Sequence, residues 1–173
     1  MNLKTNEILY SENLNYRLLN FGDYYPLKEI MHDKEICRSA GLKYIQKENE
    51  FSIFFTILLN EKMTVAVCRM NQLIGYFHLN NYLYDVPPYK DKKCISLGFL
   101  IAKEFQHHGY GSEALKFITS RLKQEYDYCF ADCFSENIAS QKTILKAEYK
   151  YLEDYQMYFD TLKEIKNIQS YVY

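Results

Sequence analysis

The run Gln106-His107-His108-Gly109-Tyr110-Gly111, followed by Ser112-Glu113-Ala114-Leu115, has the residue types and spacing to hold a diphosphate. Gly109 and Gly111 carry no Cβ, so the chain can turn sharply and bring several backbone N–H groups together. A helix beginning at Ser112 adds about half a positive charge at its N-terminus. A second helix start, Asn137-Ile138-Ala139-Ser140, places an amide and a hydroxyl downstream of the glycine loop.

Glycine loops before helices occur in several phosphate sites, so the details decide. No Gly-Lys-Ser/Thr follows the glycines, which excludes a P-loop. Gly109-x-Gly111-x-x-Ala114 matches a dinucleotide fingerprint in form, with Asp132 downstream as a ribose contact. In that motif the first glycine follows the strand directly, whereas here Lys103 to His108 intervene, and helical sequence dominates the preceding chain. A dinucleotide-binding oxidoreductase therefore stands as a rival from another class.

Gln106-x-x-Gly109-x-Gly111 resembles the Gln/Arg-x-x-Gly-x-Gly/Ala signature of the GNAT acetyltransferase superfamily, and Asn137-x-x-Ser140 resembles that family's second element. The order of helices and strands agrees over most of the chain. Ser112-Glu113-Ala114-Leu115 is similar to the branch that acetylates protein N-termini, including ribosomal-protein alanine acetyltransferases. The resemblance implies an acetyl-coenzyme A donor, with the backbone of Phe99, Leu100 and Ile101 binding the pantetheine arm. It implies the pyrophosphate on Gln106, His107, His108, Gly109, Tyr110, Gly111 and Ser112. Asn137 would contact the cofactor arm, and Ser140 would act near the thioester sulfur as the thiolate leaves. The implied fold is one α/β (α+β) domain over residues 1–173, a mixed, mostly antiparallel sheet of six to seven strands flanked by helices, with splayed fourth and fifth strands. Gly98 is placed to help the fourth strand bend.

The implied reaction is direct attack of a neutral primary amine on the thioester carbonyl. An alkyl amine of pKa about 10.4 is neutral in fewer than about one molecule per thousand at pH 7, an α-amino group near 7.8 in roughly one of seven. A protein N-terminus therefore needs less help, and small-molecule amines remain open as acceptors. Many family members place a carboxylate on the fourth strand and a Tyr on the helix after the Asn. Here those positions hold Ser96 and Ile144, leaving Ser140, a water chain or Glu153 as candidates for proton transfer. The family's usual Gly-Phe after that helix is Glu148-Tyr149. A non-catalytic acetyl-coenzyme A-binding module is the alternative that these departures open.

The elements that must position this chemistry are legible from periodicity. Leu14 to Asn20 reads as a strand, Asp23 as the opening of a helix with Leu27, Ile30 and Met31 on one face, and Lys34 to Tyr44 as a short helix or loop. Lys47 to Leu59 reads as a helix, Met63–Met70 and Gln72–Leu79 as a hairpin turning at Asn71, and Asn80 to Lys93 as a loop. Asp85 and Asp91 sit in that loop. Cys94 to Ala102 is a strand, Ser112 to Tyr126 a helix with Ala114, Leu115, Ile118 and Leu122 on one face, and Tyr128 to Phe134 a strand. Asn137 to Ala147 is a helix, Leu152 to Phe159 a strand, and Ile168 to Tyr173 one further strand.

Composition sets the outer bounds. The 173 residues are 48% hydrophobic and 25% charged, an ordinary globular balance. A net charge of −1 gives no basic excess for nucleic acid. Phe51 to Leu59, the most apolar run, is too short to span a bilayer, and Met1 to Tyr16 lacks the pattern of an export signal. Cys37, Cys68, Cys94, Cys129 and Cys133 show no disulfide or zinc spacing, so no metal is expected and a cytoplasmic location fits. The Tyr-rich C-terminus offers a surface for a homodimer.

Overall fold

A computed structural model describes residues 7–173; the beginning of the Met1–Tyr16 segment lies outside the described residues. Strands β1 (Leu9–Tyr10), β2 (Asn15–Leu18), β3 (Thr64–Arg69), β4 (Gln72–Tyr82), β5 (Cys94–Ile101), β6 (Tyr128–Phe134), β7 (Lys150–Phe159) and β8 (Glu164–Val172) form one sheet. Their order is β1-β2-β3-β4-β5-β6-β8-β7. Every pairing is antiparallel except β5 with β6. The sheet thus has eight strands, not six to seven, because Leu9–Tyr10 is too short to display a period of two.

Alternation along the strands sends side chains to two helical layers. Val65 and Val67 of β3 join the core under α4 (Tyr110–Leu122) and α5 (Ile138–Lys146), with Ala114, Leu115, Ile118, Leu122 and Ile144. Ala66 and Cys68, the intervening residues, face α1 (Tyr24–Met31), α2 (Lys34–Ser39) and α3 (Glu48–Glu61), where Leu27, Met31, Ile36, Phe51, Phe55 and Leu58 are buried. All five cysteines are free and buried, and Cys129 and Cys133 lie in the α4/α5 core as their spacing on one strand requires.

Local chemistry explains several boundaries. The β3–β4 hairpin turns on Met70 and Asn71 together, both at positive φ (48° and 66°), as a two-residue turn of primed type demands. β4 runs on to Tyr82, so the loop starts later than Asn80. Asp23 follows a 3-10 turn over Phe21–Asp23 and makes no cap bond to α1; its carboxylate instead holds Arg17 and the Asn20 N–H. The C-terminal strand β8 lies between β6 and β7, with Ile168, Ser170 and Tyr171 buried, so this segment is used inside its own sheet. Among the described residues no helix is long and apolar enough to cross a membrane.

Glu113 ties the N-terminal hairpin to α4. Its carboxylate accepts from Ser11 Oγ at 2.6 Å, Asn13 N at 2.8 Å and Asn13 Nδ2 at 3.0 Å. Partial burial opposes ionisation, but these donors outweigh it and hold the carboxyl below its usual range. A carboxyl held low in the folded state stabilises above its unfolded pKa of about 4.3 and loses that stabilisation as pH falls through the folded value. Glu113→Ala is expected to cost about 1–2 kcal/mol in urea unfolding at pH 7. The difference from the parent should shrink steadily below about pH 4.

Candidate functional site

β5 pairs with β4 along its whole length, Cys94 opposite Tyr82 through Ile101 opposite Gly75. On its other side it pairs with β6 only at Cys94, Ile95 and Ser96. Beyond Ser96 the two strands part, and β6 continues from Ala131 to Phe134 bonded only to β8, on its opposite edge. This is the splay expected of the fourth and fifth strands, here β5 and β6. It leaves the β6-facing edge of Leu97 to Ile101 without a ladder partner. Gly98 sits at the parting but causes no bulge, since the β4 register is continuous through it. A Cβ on Gly98 would meet nothing within 4 Å.

A cleft of about 440 Å³ lies between the end of β5, the glycine loop and the start of α5. Phe99, Leu100 and Ile101 line it, as do Gln106, His107, Gly109, Tyr110, Gly111, Ser112, Asn137 and Ser140. His108 does not: its Nδ1 lies 2.7 Å from Gln106 O and its ring stacks on Tyr110. Helix α4 begins at Tyr110, not Ser112, so Tyr110-Gly111-Ser112 form its first turn. Gly109 takes the left-handed conformation (φ 85°), which a Cβ would strain. None of the N–H groups of His107 to Ser112 has an acceptor among the described residues, as the start of a helix requires.

Several side chains brace this cradle. Gln106 Nε2 donates to Ile101 O at 2.9 Å, tying the loop to the end of β5. Ser112 Oγ donates to Gly109 O at 2.8 Å. Asn137 caps α5, its Oδ1 accepting from Ser140 N at 3.0 Å, while its Nδ2 donates to Ser39 O at 3.3 Å. The two motifs are thereby fixed by the protein's own hydrogen bonds. Ser140 lines the cleft, and its hydroxyl has no partner among the described residues.

Residues that the motifs did not reveal complete the walls: Ser39 and Ala40 at the end of α2, Phe105, Lys142, Thr143 and Lys146. Lys142 and Lys146 are one turn apart on α5 and have no ion pair among the described residues. A Cβ on Gly109 would lie 3.9 Å from Lys146 Nζ, so an ammonium flanks the row of N–H donors. Two lysines four residues apart after the Asn137 cap were the available signal. Orphan N–H groups, a helix N-terminus and adjacent ammonium groups fit a diphosphate. Among the described residues no group of His, Cys, Asp and Glu is placed to hold a metal.

The nearly all-antiparallel sheet is not the doubly wound parallel sheet of a dinucleotide-binding domain, which removes the oxidoreductase's structural basis. Residues 13–150 match the Acetyltransferase (GNAT) domain, and the chain belongs to that family. No curated protein sequence matches the chain. Among solved structures, an acetyltransferase (GNAT family) from Bacillus anthracis superposes with a TM-score of 0.79 at 16% identity, covering 96% of this chain and 98% of its own. RimL, described as a ribosomal L7/L12 alpha-N-protein acetyltransferase in complex with coenzyme A, gives 0.77 at 15% identity over 96% and 97%. A ribosomal-protein-S5-alanine acetyltransferase from Vibrio fischeri gives 0.70 at 14% over 95% and 96%. At these identities the likeness establishes the fold.

Proposed function

We propose that this protein transfers the acetyl group of acetyl-coenzyme A to a primary amine, either a protein N-terminus or a small molecule, in the cytoplasm. The observation that carries the reading is the junction of two unpaired backbone surfaces in one cleft. These are the β6-facing edge of β5 after Ser96, short of Ile101 O, which Gln106 holds, and the N–H row from His107 to Ser112. An amide-bearing arm would pair with the first as a strand would, and a pyrophosphate would accept from the second. Lys142 and Lys146 would add charge beside it. Bound there, acetyl-coenzyme A supplies a thioester carbonyl for the amine to attack and a thiolate leaving group. Ser140, which lines both this cleft and the smaller cavity beside it, would donate its hydroxyl hydrogen near that sulfur. Coenzyme A in the RimL structure and the family match support the donor; the α-N-protein acceptor of RimL and the ribosomal-protein-S5-alanine acceptor of the Vibrio fischeri protein support the amine.

Thermal unfolding with acetyl-coenzyme A tests the donor. A ligand at 100 times its Kd adds about 2.7 kcal/mol, and for a chain of this size the melting temperature should rise by about 5–10 °C. NADH should give no rise. Absence of a shift at millimolar acetyl-coenzyme A overturns the proposal. A shift with no thiol release across α-amino peptides and polyamines would instead select the non-catalytic binding module.

A further inference from the structure

A second cavity of about 180 Å³ opens behind the first, sharing Ser39, Ala40, Phe99 and Ser140 with it. It lies where β5 and β6 part, between Gly98 and Phe99 on one side and Asp132, Cys133 and Phe134 on the other. Phe134, Met157, Phe159 and Ile168 make most of its wall apolar. Two polar side chains other than serine reach it, Asp132 of β6 and Tyr155 of β7. Tyr155 Oη donates to Asp132 Oδ2 at 3.0 Å. Asp132 Oδ1 is shielded from solvent and has no hydrogen-bond partner, alone in this among buried side-chain atoms of the described residues.

A carboxylate oxygen without a donor, beside apolar walls, costs stability that a hydrophobic or amide side chain would not. A structural role gives no return for that cost, whereas a proton-accepting role does. We propose that Tyr155 and Asp132 form the proton relay of this site: the acceptor ammonium gives a proton to Tyr155 Oη as the tyrosine's own proton passes to Asp132 Oδ2. The inference rests on the acetyl-transfer reading above and supplies the base that Ser96 and Ile144 do not. The relay leaves a neutral amine; its nitrogen forms the new N–C bond as the C–S bond breaks; a second nitrogen proton ends on sulfur; and Asp132 returns its proton to solvent. Tyr155 touches the amine, and Asp132 acts through it.

The surroundings suit the task. Burial pushes the Asp132 carboxyl up, against the lowering effect of the Tyr155 hydroxyl and of the nearby Ser170 hydroxyl, which makes no hydrogen bond to Oδ1, with Glu153 raising it further. Tyr155 is itself raised by burial and by the adjacent carboxylate, so it stays protonated and able to relay. The other titratable groups near Asp132 are Tyr82 on β4 and Cys133 beside it, both pushed up mainly by burial. Tyr84, also raised by burial, donates to Glu153. Among the described residues no cation is paired with Asp132, so no fixed charge there competes with an incoming ammonium.

The test compares the parent with Asp132→Asn and Tyr155→Phe, using acetyl-coenzyme A with a free α-amino hexapeptide or spermidine. Both variants should lose about a hundredfold in kcat/KM at pH 7, with the KM for acetyl-coenzyme A unchanged and melting temperatures equal or higher. The deficit with the peptide should shrink as pH rises past the α-amino pKa of about 7.8, because the amine then deprotonates itself. A second readout needs no turnover. The Asp132 carboxyl, followed by ¹³C NMR, should titrate above the ordinary value of about 3.9, and Tyr155→Phe should raise it further by removing a donor to the charged form. Parent turnover with variants unimpaired, or with a deficit independent of pH, overturns the relay and leaves acetyl transfer standing. Absence of parent turnover counts against the acetyl-transfer reading; in that case an ordinary, Tyr155-insensitive Asp132 titration overturns the relay independently.

Discussion

Gly111→Asp is expected to remove the stabilisation by acetyl-coenzyme A and to weaken its binding at least about a thousandfold, equivalent to about 4 kcal/mol. Gly111 is the second residue of α4 and faces the cleft. Its backbone N–H belongs to the orphan row, and a side chain there would stand where phosphate oxygens must approach. An aspartate adds like charge to that obstruction. The same substitution should leave the unliganded protein nearly as stable. The new Cβ would come 3.2 Å from Thr143 Cγ2, a methyl that must yield by a few tenths of an ångström. Against this, a carboxylate in the first turn interacts favourably with the helix dipole, by about 0.3–1 kcal/mol. Calorimetric titration together with the unliganded melting curve separates the two effects. Retained binding would mean that the diphosphate does not lie on this turn.

Asp23→Ala is expected to cost about 3–5 kcal/mol of folding stability. Asp23 is only 3% exposed and grips Arg17 through both oxygens, Oδ2 to Nη1 at 2.6 Å and Oδ1 to Nη2 at 2.7 Å. Its Oδ2 also accepts from Asn20 N at 2.9 Å. The hydrogen bonds it donates to Asp23 raise the Arg17 guanidinium pKa, and a guanidinium cannot relieve their loss by deprotonating. Truncation leaves that charge and an amide donor unpaired between β2 and α1. Replacing both partners by apolar residues of similar volume should recover much of the loss, because burial costs fall on the unpaired charge. Urea unfolding of the single and double variants measures both. A single-variant loss below about 1 kcal/mol would put this pair with ordinary solvent-screened bridges.

The legible and the hidden parts of the site differ by kind of interaction. The glycine loop and the Asn137 cap were readable because they obey local rules: a left-handed glycine, and a side chain accepting from the N–H three residues on. His108 stood within the same motif yet points away from the cleft, since its conformation follows its stacking on Tyr110 rather than its place in the loop. Ser112, part of the same motif, spends its hydroxyl on Gly109 O. Lys146 was not singled out because its value lies in reaching across to Gly109 from another helix.

The sequence by itself determined the mixed α/β class, nearly every strand and helix, the phosphate-suited loop and the family resemblance. Each depends on periodicity, turn chemistry or a short motif, which act over a few residues. The tertiary structure alone decided that β8 inserts between β6 and β7, that β5 and β6 part after Ser96, and that Asp132 meets Tyr155 across the resulting gap. Asp132 and Tyr155 sit on strands that are not even neighbours, with β8 between them. Contacts of that kind are set by strand order and side-chain packing, which no local pattern encodes; the same two residues in another strand order would never meet.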